Sequence, residues 1–240
     1  MKRRAADAER KTAPVNLPVP TVVVGGHTRN IGKTSVVEGI IRELPSLNWT
    51  AVKITQYGHG VCSRDGHSCQ CKPRRHAFEI SEESDARGHS DTCRFLAAGA
   101  VRSLWLRVRA GQLGDAVPAL FQAVENSANV ILESNSILQF IKPSLFLMVL
   151  DSSQRDFKLA AQKALSSADA LVAAGGKLHW NLWSEIDFQD AKQKPVFPMD
   201  LQHGPGLALC EFTRDAVNRA GEDRRRAGNS RVVIAPGKPA

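Results

Sequence analysis

The chain contains no apolar run of 18 residues, the length a helix needs to cross a bilayer. Its longest apolar stretch, Leu145 to Leu150, is only the size of a β-strand. The opening Met1-Lys-Arg-Arg-Ala-Ala-Asp is basic, but no apolar segment follows it, so no secretory signal is expected. The expected compartment is therefore the cytoplasm, with no membrane partner. Net charge is also scarce where a nucleic acid would need it. The formal charge is +8, yet residues 1–12 carry five Lys/Arg against two acids and residues 214–240 carry seven against three. The middle of the chain, with 20 basic and 19 acidic residues, is close to neutral. A groove that tracks a phosphate backbone needs its charge on the folded body, so the distribution argues against nucleic acid as a partner. No internal repeat is visible.

What the sequence does contain is an alternation of strand-like and helix-like segments. Thr21–Val24 is a β-branched run ending in two glycines, and a helical pattern follows from Lys33 to about Glu43. Further strands are expected at Thr50–Thr55, Arg102–Val108, Asn129–Glu133, Leu145–Leu150, Asp169–Ala174 and Pro195–Met199. Helices are expected at Asp91–Ala98, Leu113–Asn126, Phe157–Ser167 and Glu211–Ala220. This rhythm implies βαβ units: an α/β fold of three layers, with a mostly parallel sheet of about seven strands. One domain, 19–221, suits a chain of 240 residues. Residues 1–18 and 222–240 read as disordered tails, the first of them basic. Residues 56–88 form a Cys/His-rich insert too long for an ordinary connection.

The motif that carries chemistry is Gly26-His27-Thr28-Arg29-Asn30-Ile31-Gly32-Lys33-Thr34-Ser35. It lies directly between an apolar strand and a helix. Backbone N–H groups of such a loop converge on phosphate oxygens, and the helix N-terminus adds unpaired donors and the positive end of its dipole. Gly32 admits close backbone approach, Lys33 reaches the terminal phosphates, and the Thr34 hydroxyl ligates magnesium. All ten residues are candidates for nucleotide binding. The usual pattern has four residues between its glycines, whereas Gly26 and Gly32 enclose five, and His27 holds the usual first-glycine position.

Ligands of open parallel sheets bind beyond the carboxyl ends of the strands. Glu133 ends one strand there, as a candidate to hold the metal or orient an attacking water. Asp151 ends another in the same way and is a second candidate for magnesium. Lys53 lies near the end of its strand and would neutralise a phosphate or a substrate carboxylate, or be solvated. Either Ser90 or Asp91 makes a good helix cap.

The loop resembles that of dethiobiotin synthetase, Gly-Thr-Asp-Thr-x-Val-Gly-Lys-Thr, at the same length. Ala51-Val-Lys-Ile-Thr55 is similar to that family's second strand, where a lysine faces the substrate. Asp91-Thr-Cys-Arg-Phe-Leu-Ala-Ala-Gly-Ala100 resembles the Asp-Ser/Thr-x5-Ala-Gly-Ala segment of the molybdopterin-guanine dinucleotide biosynthesis protein B (MobB) family. Together these likenesses cover residues 20 to about 135. They imply a P-loop architecture, a metal-side role for Asp91, a substrate-side role for Lys53 and a homodimer; with Lys33 of the loop and the strand-end Glu133, these are the candidate catalytic residues. Where MobB-like chains have Glu-Gly, this one has Glu133-Ser134-Asn135-Ser136, and no Asn-Lys-x-Asp guanine-reading motif follows Ala174. ATP and GTP both remain open.

In the insert, His59, Cys62, His67, Cys69, Cys71 and His76 fall within 18 residues. Thiolates and imidazoles suit zinc or an iron–sulfur cluster, with Cys62, Cys69, Cys71 and His76 as candidate ligands. The spacing is not a standard finger, so a substrate-binding loop with free thiols or a redox-sensitive pair stays open. Cys93 is a fourth ligand or an ordinary buried thiol. The expected function is that of a magnesium-dependent nucleotide-binding protein, a MobB-like accessory NTPase linked to molybdenum-cofactor chemistry. The alternatives are a small-molecule kinase or ATP-dependent ligase, and a non-enzymatic switch acting on a protein partner.

Overall fold

The computed structural model describes residues 13–58, 77–200 and 203–229. Strand and helix alternate along it as the apolar pattern requires. In order these are β1 (Thr21–Gly26), α1 (Lys33–Glu43), β2 (Trp49–Tyr57), β3 (Phe78–Glu82), α2 (Asp91–Ala97), β4 (Arg102–Arg109), α3 (Leu113–Val124) and β5 (Asn129–Glu133). The second half adds β6 (Leu145–Asp151), α4 (Leu159–Leu165), β7 (Ala170–Ala174), β8 (Val196–Asp200), β9 (Gly204–Pro205) and α5 (Leu207–Asn229).

The strands form one sheet in the order β3-β4-β2-β5-β1-β6-β7-β8-β9. Seven consecutive strands, β4 through β8, are parallel, and β3 and β9 pair antiparallel at the two edges. The expected α/β class with a mostly parallel sheet is the one observed, with nine strands among the described residues instead of about seven. β3 lies inside the segment expected to be a polar insert. Phe78 and Ile80 pack on the core while Glu79 and Ser81 alternate to the other face, so a short period-2 pattern is enough, and Glu79 and the strand-end Glu82 pair with Arg107 and Arg102.

Successive residues of the central strands face opposite layers. Val22, Val24, Ile131, Leu147 and Val172 pack with Val36, Ile40, Leu209 and Val217 of α1 and α5. Val23, Leu104, Leu132, Met148 and Leu171 pack with Leu113, Leu120, Ala161 and Leu165 of α3 and α4. Each such side chain contributes about 1.5–3 kcal/mol of apolar burial. Covering both faces is what lets the strands be nearly continuous apolar runs.

Both expected tails are shorter than the composition indicates. Val15 donates its N–H to the Phe140 carbonyl at 3.0 Å and accepts from Lys142 N at 2.9 Å, and Leu17 is buried in the core. At the other end α5 runs to Asn229, nine residues past the expected Ala220, and Arg224 Nη2 reaches back to the Leu17 carbonyl at 3.2 Å. Glu, Arg and Ala are strong helix formers, so a run that reads as solvated tail also extends a helix once its first turns are packed. No helix among the described residues is long and apolar enough to cross a membrane.

Candidate functional site

β1 lies between β5 and β6, so its C-terminal end opens onto the crevice where open α/β sheets bind ligands. The chain leaves β1 at Gly26, crosses the crevice and enters α1 at Lys33. Two positive φ angles shape that crossing: Asn30 at 55° and Gly32 at 91°. Gly32 is the residue immediately before the helix, and its ψ of 10° places it in the left-handed region, where a β-carbon is disfavoured.

The loop is clamped from both sides. On one side Asn135, two residues past β5, donates Nδ2 to the Gly26 carbonyl at 2.6 Å and accepts the Gly26 N–H on Oδ1 at 2.8 Å. A β-carbon at Gly25 would lie 2.1 Å from Asn135 Oδ1, so only glycine there lets the carboxamide approach. On the other side the segment after β6 holds His27 and Thr28. His27 Nδ1 donates to the Asp156 carbonyl at 2.8 Å, and Nε2 accepts the Asp151 N–H at 3.1 Å. A carbonyl only accepts and a backbone N–H only donates, so the ring is neutral with its proton on Nδ1. Burial pushes the His27 pKa below its usual value, and the rings of Phe157 and Trp183 lie with their centroids 5.0 Å away. Thr28 Oγ1 donates to Asp156 Oδ2, and Lys158 N donates to the His27 carbonyl at 3.0 Å.

The ten loop residues therefore divide. The side chains of His27 and Ile31 are buried and hold the fold, so these residues have only backbone groups to offer a phosphate. Thr28 is likewise bound to Asp156, and the Ser35 hydroxyl accepts from Arg94 Nη2 at 3.3 Å. Arg29 and Asn30 are exposed at the rim. Lys33 and Thr34 face the charged centre.

That centre is a linked set. Thr34 Oγ1 donates to Glu133 Oε2 at 2.9 Å. Lys53 Nζ bonds the other oxygen, Oε1, and lies 2.7 Å from Asp91 Oδ2. Glu133 is nearly inaccessible, its side chain 3 % exposed. Burial disfavours the Lys53 ammonium, but Glu133 and Asp91 together outweigh it and hold its pKa above the usual value. Lys33 Nζ donates to the Thr28 carbonyl at 2.6 Å. Burial, with Lys53 adding to it against the pull of Glu133, brings its pKa down to about 8.

Ser90 is the cap of α2, its Oγ accepting from Cys93 N at 3.1 Å, which leaves the Asp91 carboxylate for Lys53. Glu83, which the sequence reading missed, folds the preceding loop. Its two oxygens accept from Ser84 N, Asp85 N, Thr92 Oγ1 and Cys93 Sγ at 2.9–3.2 Å. The backbone bond from Asp85, with the other donors, outweighs burial and holds its pKa down to about 2. Cys93 is a buried free thiol. Asn135 was missed as well; its only sequence signal is its position just beyond a strand that ends in an acid.

Asp151 is not part of the linked set. Its Oδ1 caps its own turn by accepting from Ser153 N at 2.8 Å. Cys62, Cys69, Cys71 and His76 lie outside the described residues. Among the described residues no three His, Cys, Asp or Glu side chains form a metal-binding group. A magnesium ion fits the Thr34–Glu133 pair in another way, since a hydroxyl and a carboxylate are hard oxygen donors and the remaining positions go to phosphate and water.

No family model matches the chain, and no curated protein does. Among solved structures the chain is similar to LpxK from Aquifex aeolicus in complex with ATP, at 19% identity and a TM-score of 0.47. That likeness covers 78% of this chain and 56% of LpxK, so the chain spans little more than half of its length. It is similar also to HypB from Helicobacter pylori in complex with nickel, at 14% identity and a TM-score of 0.46, covering 88% of this chain and 89% of that one. HypB from Archaeoglobus fulgidus, a hydrogenase maturation factor, gives 14% identity, a TM-score of 0.44, and 83% and 91% coverage. At scores below 0.5 these likenesses carry no argument about chemistry, which rests on the chain's own residues.

Proposed function

We propose that the chain binds a nucleoside triphosphate with magnesium on the Gly26–Ser35 loop and hydrolyses it or transfers its terminal phosphoryl group. The observation that carries this reading is the Thr34–Glu133 contact of 2.9 Å beside Lys33. A helix-start hydroxyl, a buried strand-end carboxylate and an ammonium come together at the end of the loop. Magnesium held by Thr34 and Glu133 would neutralise phosphate charge. Lys33, now resting on the Thr28 carbonyl, exchanges that partner for phosphate oxygens, and the loop amides supply fixed donors. ATP and GTP both fit this chemistry.

Two settings suit the reaction. The Asp91–Ala100 resemblance supports a MobB-like accessory NTPase tied to molybdenum-cofactor nucleotide chemistry. The Lys53–Asp91 pair, 2.7 Å apart on the open side of Glu133, favours a small-molecule acceptor, as in a kinase or ligase. The test is release of phosphate or of the nucleoside diphosphate (ADP or GDP) from ATP and GTP, with magnesium and with EDTA. Magnesium-dependent turnover abolished by Lys33→Ala supports the reading, and turnover indifferent to both sinks it.

A further inference from the structure

On the α1 side of the sheet, α2 covers only the lower part of β2 and β4. Trp49 and Ala51 are buried there with Phe95, Ala98 and Ala100. Above Ala51 the same face continues as Lys53 and Thr55 on β2, Trp105, Arg107 and Arg109 on β4, and Ser81 and Glu79 on β3, all partly exposed. Residues of the other face, Val52, Ile54, Leu104, Leu106 and Val108, are buried in the core under α3. The upper end of this wing is thus a polar and aromatic shelf beside the charged centre.

The strand register places the shelf. Glu133, Lys53, Trp105 and Ser81 form one row across β5, β2, β4 and β3, and Thr55, Arg107 and Glu79 form the next. Adjacent strands lie about 4.8 Å apart, so Trp105 stands about 10 Å along the row from Glu133, the span of a small molecule.

The shelf is also built. Trp105 Nε1 donates to Thr55 Oγ1 at 2.9 Å, which fixes the indole. The Arg107 guanidinium carbon lies 4.6 Å from the centroid of that indole, and Glu79 Oε1 engages Arg107 Nη2 at 2.8 Å. Arg107 Nε is buried and has no hydrogen-bond partner among the described residues. Two planar groups are thereby held in contact, and planar groups recognise flat ligands by stacking. Beyond Lys53 the described residues of the shelf are Arg107 and Arg109 against Glu79, an excess of one positive charge among them.

We propose that this shelf seats the second substrate, a flat ring system bearing one carboxylate or phosphate, stacked on Trp105 and Arg107 with its reactive end toward Lys53. The assignment as second substrate rests on the nucleotide reading above. The seat itself does not.

The test uses the full chain and quinoline-2-carboxylate as a flat anionic probe, read by saturation-transfer NMR. Quinoline, flat but neutral, and cyclohexanecarboxylate, anionic but not flat, are the controls. The probe is expected to bind above both controls, and Trp105→Leu and Arg107→Gln are each expected to weaken it about tenfold, the loss of a stacked or charge-assisted contact. Magnesium-ATP affinity, titrated on the same samples, is expected to stay within about twofold, because neither residue touches the phosphate loop. If Trp105→Leu does not fold, Arg107→Gln alone decides. Equal signals for probe and controls, or a probe signal indifferent to the variants, overturn the proposal. A shelf that responds as expected without nucleotide binding supports the seat and contradicts the nucleotide reading, so the two failures read apart.

Discussion

Thr34 and Glu133, 99 residues apart in the chain, meet at 2.9 Å because β5 runs parallel beside β1 with Val24 and Glu133 in register. The end of β5 is thereby carried to the first turn of α1. The same carboxylate holds Lys53, which in turn holds Asp91, so one buried acid ties the Gly26–Ser35 loop to α2.

Glu133→Gln keeps the shape of that junction and removes its charge. Nucleotide binding is expected to persist while turnover falls about 100-fold or more, the usual scale for losing one charge-stabilising group. Phosphate release under saturating magnesium-nucleotide measures it, and undiminished turnover would remove Glu133 from the mechanism.

Lys33 gives a pH signature. Burial lowers its pKa from 10.5 to about 8 in the free protein, and phosphate needs the charged form. Affinity should therefore hold below pH 8 and decline above it, being about tenfold weaker at pH 9 than at pH 7. A dissociation constant that is flat across this range would show that the ammonium is not a phosphate ligand.

Asn135→Ala leaves both polar groups of Gly26 without their partner. The expected loss is about 2 kcal/mol of stability, or a Tm lower by about 4–8 °C. Asn135→Asp, which keeps the acceptor and loses the donor, should fall between. A Tm unchanged in the alanine variant would mean that the clamp is dispensable.

His27 predicts the acid limb of stability. Its ring is neutral in the fold, with its pKa depressed by burial below 6.5. Its contribution is complete above that value and is lost as pH falls through it, when the ring must take up a proton where Asp151 N already donates. His27→Gln should start less stable than the wild type yet lose less Tm between about pH 7 and pH 5. Parallel pH profiles for the two proteins would contradict this.

Much of this was legible in the sequence because periodicity is a local signal. The β-branched run Thr21–Val24, the glycine turn and the helix from Lys33 fix the loop between strand and helix, and Glu133 at the end of an apolar strand points to the crevice. What was not legible depends on contacts across the sheet. Asn135 and Glu83 act through hydrogen bonds to backbone that becomes adjacent only on folding. His27 reads as a loop residue, and only its burial against Phe157 and Trp183 shows that its side chain anchors the loop. β3 was hidden because five residues of alternation sit within a polar stretch, and pairing with β4 supplies what the local pattern lacks.

The central claim is that the Gly26–Ser35 loop holds a magnesium-nucleotide, and calorimetric titration of ATP and GTP into the full chain, with Lys33→Ala beside it, tests it most directly. The account predicts saturable binding of at least one nucleotide at one per chain, strengthened by magnesium and weakened about tenfold or more in the variant, as loss of a buried charge-assisted contact requires. No binding of either nucleotide, or binding untouched by Lys33→Ala and by EDTA, would contradict it.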